Sequence, residues 1–294
     1  MTNWDVLGGD RRAIAPALGP FPHRPFLETW WRNRGDGSLS VVGHGSSAVA
    51  VVTRERSMSF AGDADVTDYH APVGEDPGGA VAAAVATAPA GTRFRFDSMP
   101  EEIARPVAAA IGAAGMSSAI HERDATMVLD PTPGDPLASL DGKQRHELRR
   151  KVRRFEESFG EPHLVTGVSG FDAFVAMHRL AEGDKGTFMS AATVEFFRDL
   201  LGVPGAVVDL LVTSTGDPVA GAFGFRDAEG YYLYNSSFDP AAGPASPGIV
   251  MVELLIERES SMGGRRFDLL KGTETYKRRF GARPRPLFVV EGVV

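Results

Sequence analysis

Polar and apolar positions divide the chain into two series of short elements. In the first, Leu39–Val42, Ala48–Val52 and Ser57–Phe60 are apolar or β-branched runs separated by Gly43-His44-Gly45-Ser46 and Arg54-Glu55-Arg56, a spacing that predicts a three-stranded meander. A helix over Pro77–Ala88, a strand at Arg93–Asp97, a helix over Pro100–Ala114 and a strand within Ser117–Leu129 follow. A lead-in from Trp4 to Trp31, broken by prolines at 16, 20, 22 and 25, comes before them. The second series starts after a proline-rich linker, Pro131–Asp141. In Lys143–Phe155 and on to Phe159, the residues Leu148, Val152, Phe155 and Phe159 fall at helical spacing on one stripe. Helices over Phe171–Leu180 and Ala191–Leu201 flank a loop at Glu182–Phe188, and Val207–Thr213 pairs with Pro218–Phe225 around Ser214–Asp217.

The most informative stretch is Tyr231–Phe280. Tyr231–Phe238 reads as an alternating aromatic strand, and Asp239–Ala245 breaks it. Ser246-Pro247-Gly248 opens a helix with a hydroxyl cap and a proline in the first turn, and the helix runs to Gly263-Gly264. Arg266–Leu270 is the next strand, so that two parallel strands are joined by a helical crossover. Small residues before the first turn of such a helix let an anion approach free amides at the positive end of the helix dipole.

Length adds a domain count. At 294 residues the chain predicts two domains, bounded at 1–130 and 161–294, with 131–160 as linker and basic helix. Hydrophobic residues make up 43%, enough for packed cores, and a net charge of -7 gives no global sign of DNA binding. Against that acidity, seven Lys/Arg within Lys143–Arg154 are a local anomaly suited to a phosphate-bearing or anionic partner. There are no cysteines, which excludes disulfides and thiolate chemistry and suits a cytoplasmic location. The histidines lack metal-ligand spacing, so no metal is expected. The N-terminus lacks the pattern of a secretory signal and no run is long enough to span a membrane.

Phe238-Asp239-Pro240, Ser246-Pro247-Gly248, Phe267-Asp268 and Lys271-Gly272-x-Glu274-x-Tyr276-Lys277-x-x-Phe280-Gly281, with the basic segment Lys143–Arg154, together resemble the bacterial GNAT superfamily. The resemblance is to the cellulose-biosynthesis-associated acetyltransferase-like branch, relatives of the FemAB peptidyltransferases. It covers the last half of the chain well and the first half loosely. It implies an α/β fold with a mixed sheet, arranged in tandem with a degenerate N-terminal GNAT-like half, although no sequence repeat links the halves.

The resemblance also implies an activity: transfer of an acyl group from acyl-CoA, such as acetyl-CoA, to an amine of a sugar, amino-acid or peptide-like acceptor by direct attack. Ser246, Gly248 and Ile249 would hold the pyrophosphate, with Lys271 and Lys277 as further phosphate ligands, and the backbone of Asn235, Ser236, Ser237 and Phe238 would polarise the acyl carbonyl. Tyr276 would protonate the leaving thiolate, or else anchor its short helix; Glu274 or Asp239 would take the proton of an ammonium. Asp68, Tyr69, Arg149, Arg153 and Lys185 would contact the acceptor, a small molecule or a cell-envelope precursor. The chain departs from the family's Arg/Gln-x-x-Gly-x-Gly/Ala loop, and Pro244 and Pro247 remove two N–H donors. Two other readings remain open, a FemAB-like transferase using aminoacyl-tRNA and a non-catalytic module in polysaccharide assembly.

Overall fold

The computed structural model describes residues 4–8, 17–181 and 183–294, which form two compact units, Met1–Thr126 with Arg285–Val294 and Met127–Pro284. The first contains α1 (Arg24–Arg34), β1 (Ser38–His44), β2 (Ser47–Arg54), β3 (Ser57–Phe60), α2 (Pro77–Ala86), β4 (Arg93–Pro100) and α3 (Glu101–Ala113), and β5 (Ser118–Leu129) leads out of it. The second contains α4 (Gly142–Phe159), β6 (His163–Thr166), α5 (Phe171–Leu180), α6 (Asp184–Phe188), α7 (Ala191–Leu200), β7 (Ala206–Val212), β8 (Pro218–Arg226), β9 (Gly230–Phe238), α8 (Pro247–Ser261), β10 (Arg266–Lys271) and α9 (Thr275–Arg278); β11 (Arg283–Val293) ends the chain.

The predicted elements are present, with four differences. The lead-in contains α1, started by Pro25 in its first turn and held by buried Phe26, Leu27 and Trp30; Pro16 lies outside the described residues. The edge strand β6 is only four residues long and mostly exposed, too short to have shown in the pattern. Glu182–Phe188, expected as a loop, contains α6, whose Phe188 ring packs against His178 and Phe197. The last strand, though inside the predicted 161–294 domain, pairs antiparallel with β4 in the first unit, where Leu287 and Val290 are buried.

Both units repeat one order. Three antiparallel strands lead to a helix and then to a strand parallel to the third: β1, β2, β3, α2, β4 in one, β7, β8, β9, α8, β10 in the other. Arg95-Phe96-Asp97 and Arg266-Phe267-Asp268 stand on the corresponding fourth strands.

In the second unit the strand order is β10-β9-β8-β7-β6. One face carries α8 and α4, whose Leu148 and Phe155 are buried with Val250, Leu255 and Phe267; the other carries α5 and α7 through Phe174, Phe197 and Phe223. The stripe read from α4 is therefore its buried face. Gly221 lets α5 lie against β8, because a Cβ there would stand 3.0 Å from Met177 and 3.3 Å from Phe174. Asp209, fully buried on β7, joins that strand to α8 and β9: Arg258 donates to it at 2.6 and 3.1 Å, and Tyr231 at 2.8 Å.

Candidate active site

The site begins where β9 and β10 part. Their parallel ladder matches Gly230–Tyr232 with Arg266–Asp268 and stops, although both strands continue. Local groups account for the break. Buried Asp268 accepts from Leu270 N–H at 2.8 Å, and Leu270 is left-handed at φ 58°, which turns β10 off its strand path. The ammonium of Lys277, itself 3% exposed, then donates to the carbonyls of Leu270, Lys271 and Gly272 at 3.2, 2.5 and 3.1 Å. These backbone groups are satisfied without β9, and the far half of β9 has no parallel neighbour in the ladder.

A bulge in β9 decides which side chains face which helices. Asn235 opposes Phe223 and Leu233 opposes Gly224, so Tyr234 is an extra residue. Tyr231 and Leu233 face α8, where Tyr231 reaches Asp209 and Leu233 joins the core. Without the bulge Asn235 would follow them. Instead Tyr234 and Asn235 both lie on the α5–α7 side: Tyr234 stacks on Phe197, and Asn235 Oδ1 lies 2.9 Å from His178 Nε2, within hydrogen-bond distance. Ser237 lies on the same side and donates to Phe174 O at 3.2 Å, while Phe238 turns to the opposite face, where a Cβ on Gly248 would be 3.4 Å from its ring.

The head of α8 differs from the sequence expectation in its cap. Ser246 is left-handed (φ 57°, ψ 45°) and makes no side-chain capping bond. Its carbonyl accepts from Ile249 and Val250 N–H, and its hydroxyl accepts from Lys151 Nζ at 3.1 Å. Pro247 has no N–H, which leaves the Gly248 amide and the Lys151 ammonium at this end of the helix. Arg154 reaches Pro244 O at 3.4 Å from the next turn of α4. Glu147 lies 3.7 Å from Lys151, but Arg150 grips it with two bonds and lowers its pKa to about 2.

Several expected site residues have other work. Asp239 caps the turn after β9 by accepting from Ala241 N–H at 2.9 Å, and Glu274 pairs with Lys277 at 3.0 Å. Lys277 is turned inward and does not offer its charge to a phosphate. Lys271 contributes its carbonyl to that same ammonium. Tyr276 packs against the core, and burial, with Glu274 adding to it, pushes its phenol up to about 12. Ile249 packs on the core, and Ser236 and Gly248 are half-buried. Arg149 and Arg153 are exposed on α4; burial, with the neighbouring Glu257 charge adding to it, pushes Glu253 up to about 7, and Arg149 opposes that only weakly.

Asp68 and Tyr69 belong to the first unit. Tyr69 is fully buried, its hydroxyl 2.6 Å from Thr126 Oγ1 and its ring under the Arg285 guanidinium at 5.1 Å. Lys185 sits in α6, and its side chain lies outside the described residues. Among the described residues no cluster of His, Asp and Glu suits a metal, and no helix is long and apolar enough to cross a membrane.

Sequence reasoning missed Lys151, Arg154 and His178. Lys151 had a signal: it lies three residues after Leu148 and four before Phe155, so it borders the buried stripe, with Arg154 on the same flank and Arg149 and Arg153 on the other. For His178 there was only its place on the apolar side of α5.

Residues 142–278 match the family described as acetyltransferase (GNAT) domain. No curated protein matches the chain by sequence. Among solved structures, FemX is 11% identical with a TM-score of 0.60, over 98% of this chain and 94% of its own. L-PGS from Bacillus licheniformis is 12% identical with a TM-score of 0.57, over 93% and 92%. The DUF2156 C-terminal domain from Agrobacterium fabrum is 15% identical with a TM-score of 0.60, over 91% and 86%. At these identities the likeness is one of fold.

Proposed function

We propose, from the match of residues 142–278 to the acetyltransferase (GNAT) domain family, that the chain is a cytoplasmic acyltransferase that moves an acyl group from acyl-CoA to an amine. The acceptor is a polar molecule such as a sugar, an amino acid or a cell-envelope precursor. The observation that supports this most is the Lys151 ammonium, 3.1 Å from Ser246 Oγ at the head of α8. A diphosphate there meets a cation, the Gly248 amide and the positive end of a helix. The length of β9 beyond its ladder with β10 supplies the neighbouring groups for an acyl carbonyl, and Tyr276, a phenol that stays protonated, is the candidate donor to the leaving thiolate. Glu274 and Asp239 remain candidate bases only if substrate draws them from their present partners.

Isothermal titration with CoA and short acyl-CoA tests this. Binding to the wild type is expected, weakened about 10- to 100-fold in Lys151→Ala, since a charge-assisted hydrogen bond contributes about 1.5–3 kcal/mol. No heat with CoA or any short acyl-CoA overturns the reading.

A second reading has its own support. Lys143, Arg149, Arg153 and Arg154 on α4, with Arg278 and Arg279 after β10, are exposed cations in excess of what one diphosphate uses. They suit an aminoacyl-tRNA donor, whose binding weakens steeply with salt. A gel shift with bulk tRNA at low salt separates the two: retardation without CoA binding favours the tRNA donor, and no retardation removes it.

A further inference from the structure

The contact between α5 and β9 has a geometry that the proposed function leaves unused. Phe174 and His178 are one turn apart on α5, about 6 Å along its axis. Ser237 and Asn235 are two residues apart on β9, about 6.6 Å along the strand. The spacings match, and two hydrogen bonds join the pairs: Ser237 Oγ to Phe174 O at 3.2 Å, and His178 Nε2 to Asn235 Oδ1 at 2.9 Å. Oδ1 can only accept, so Nε2 must carry the proton. His178 is 2% exposed, and its ring is held by Phe174 at 5.9 Å and Phe188 at 5.7 Å, so it has little freedom to turn. Asn235 is half-buried and directly follows the bulge, on the length of β9 that has parted from β10.

We propose that His178 is a positioning residue that fixes the Asn235 carboxamide, so that its Nδ2–H2 points away from α5 and donates to the acyl carbonyl oxygen. This rests on the acyl-transfer reading. In that step the amine nitrogen bonds to the acyl carbon and the carbon–sulfur bond breaks. Charge gathers on the carbonyl oxygen and returns, and the proton lost by the amine ends on the thiolate. A side-chain donor already oriented at that oxygen lowers the barrier without having to reorganise. The bulge is essential to it, because on an unbroken strand Asn235 would face α8.

Long-range 1H–15N correlation on 15N-histidine-labelled protein tests the arrangement without substrate. The His178 signals, assigned by their loss in His178→Gln, are expected to show the Nε2–H tautomer at pH 7–8. An Nδ1–H tautomer overturns the proposal whatever the activity. Kinetics of thiol release from acetyl-CoA provide the second arm. Asn235→Ala and His178→Phe should each lower kcat about a hundredfold with KM within about threefold. His178→Gln, which places an N–H near the position of Nε2, should recover most of the loss. Unchanged kcat in both loss variants of an active enzyme sinks this inference and leaves the function standing. A wild type that neither binds nor turns over CoA thioesters sinks the function, and the tautomer still decides the Asn235 contact.

Discussion

Replacing Arg258 by methionine tests what holds α8, and with it the candidate anion site, against the sheet. Asp209 is fully buried and accepts from Arg258 Nη1 and Nη2 at 2.6 and 3.1 Å, from Thr166 Oγ1 at 2.5 Å and from Tyr231 at 2.8 Å. Arg258 also binds Glu259, which Arg226 grips with two further bonds at 2.8 and 2.6 Å. Removing Arg258 leaves Glu259 one cation and leaves Asp209 only two neutral donors. Breaking a buried pair from one side costs about 3–5 kcal/mol. Since the Arg258 side chain is 21% exposed, water offsets part of this, and about 3 kcal/mol is expected. In a unit of this size that lowers Tm by roughly 6–12 °C. Urea unfolding read by circular dichroism, with hydrogen exchange along α8, measures it. The double variant Arg258→Met/Asp209→Asn removes both charges and keeps an amide for Tyr231 and Thr166, so it should recover to within about 1 kcal/mol of wild type. The reasoning is refuted by a single variant that loses less than 1 kcal/mol, or by a double variant as unstable as the single.

Other outcomes follow from the same physical chemistry. Lys277→Met should destabilise the protein by about 3 kcal/mol, because three carbonyls lose a charged donor. CoA affinity should stay within about twofold; a large loss of affinity without loss of stability would return Lys277 to the phosphate site. Glu253, at about 7 in the folded chain, binds a proton there that the unfolded chain has released, so its contribution makes stability fall as pH rises from about 4.5 to 7. Glu253→Gln should flatten that limb in denaturation series across the range, and an unchanged slope would assign it to other groups. Tyr276→Phe should cut kcat at least tenfold with the melting temperature little changed. Full activity in that variant would leave Tyr276 as an anchor.

Much of this was legible in residue order. The α4 stripe, the two meanders, the crossover after β9 and the basic run each come from local periodicity, turn chemistry or charge, which neighbours along the chain decide. The order of the main helices and strands of the second unit followed from these, without the short β6 and α6. Residue order could not decide what depends on partners distant in sequence. Lys277 and Lys151 are both lysines in basic segments, yet one is folded inward onto three carbonyls and the other stands at the head of α8. Asp209 lies in an apolar strand with no hint of an arginine 49 residues away. The last strand looked like the end of the second half, but its register is set by β4. The sharpest case is β9, where strict alternation would have placed Asn235 beside Tyr231 and Leu233. The extra residue at Tyr234 reverses that parity, because strand faces are assigned by pairing with β8, and pairing is a property of the sheet rather than of the strand alone.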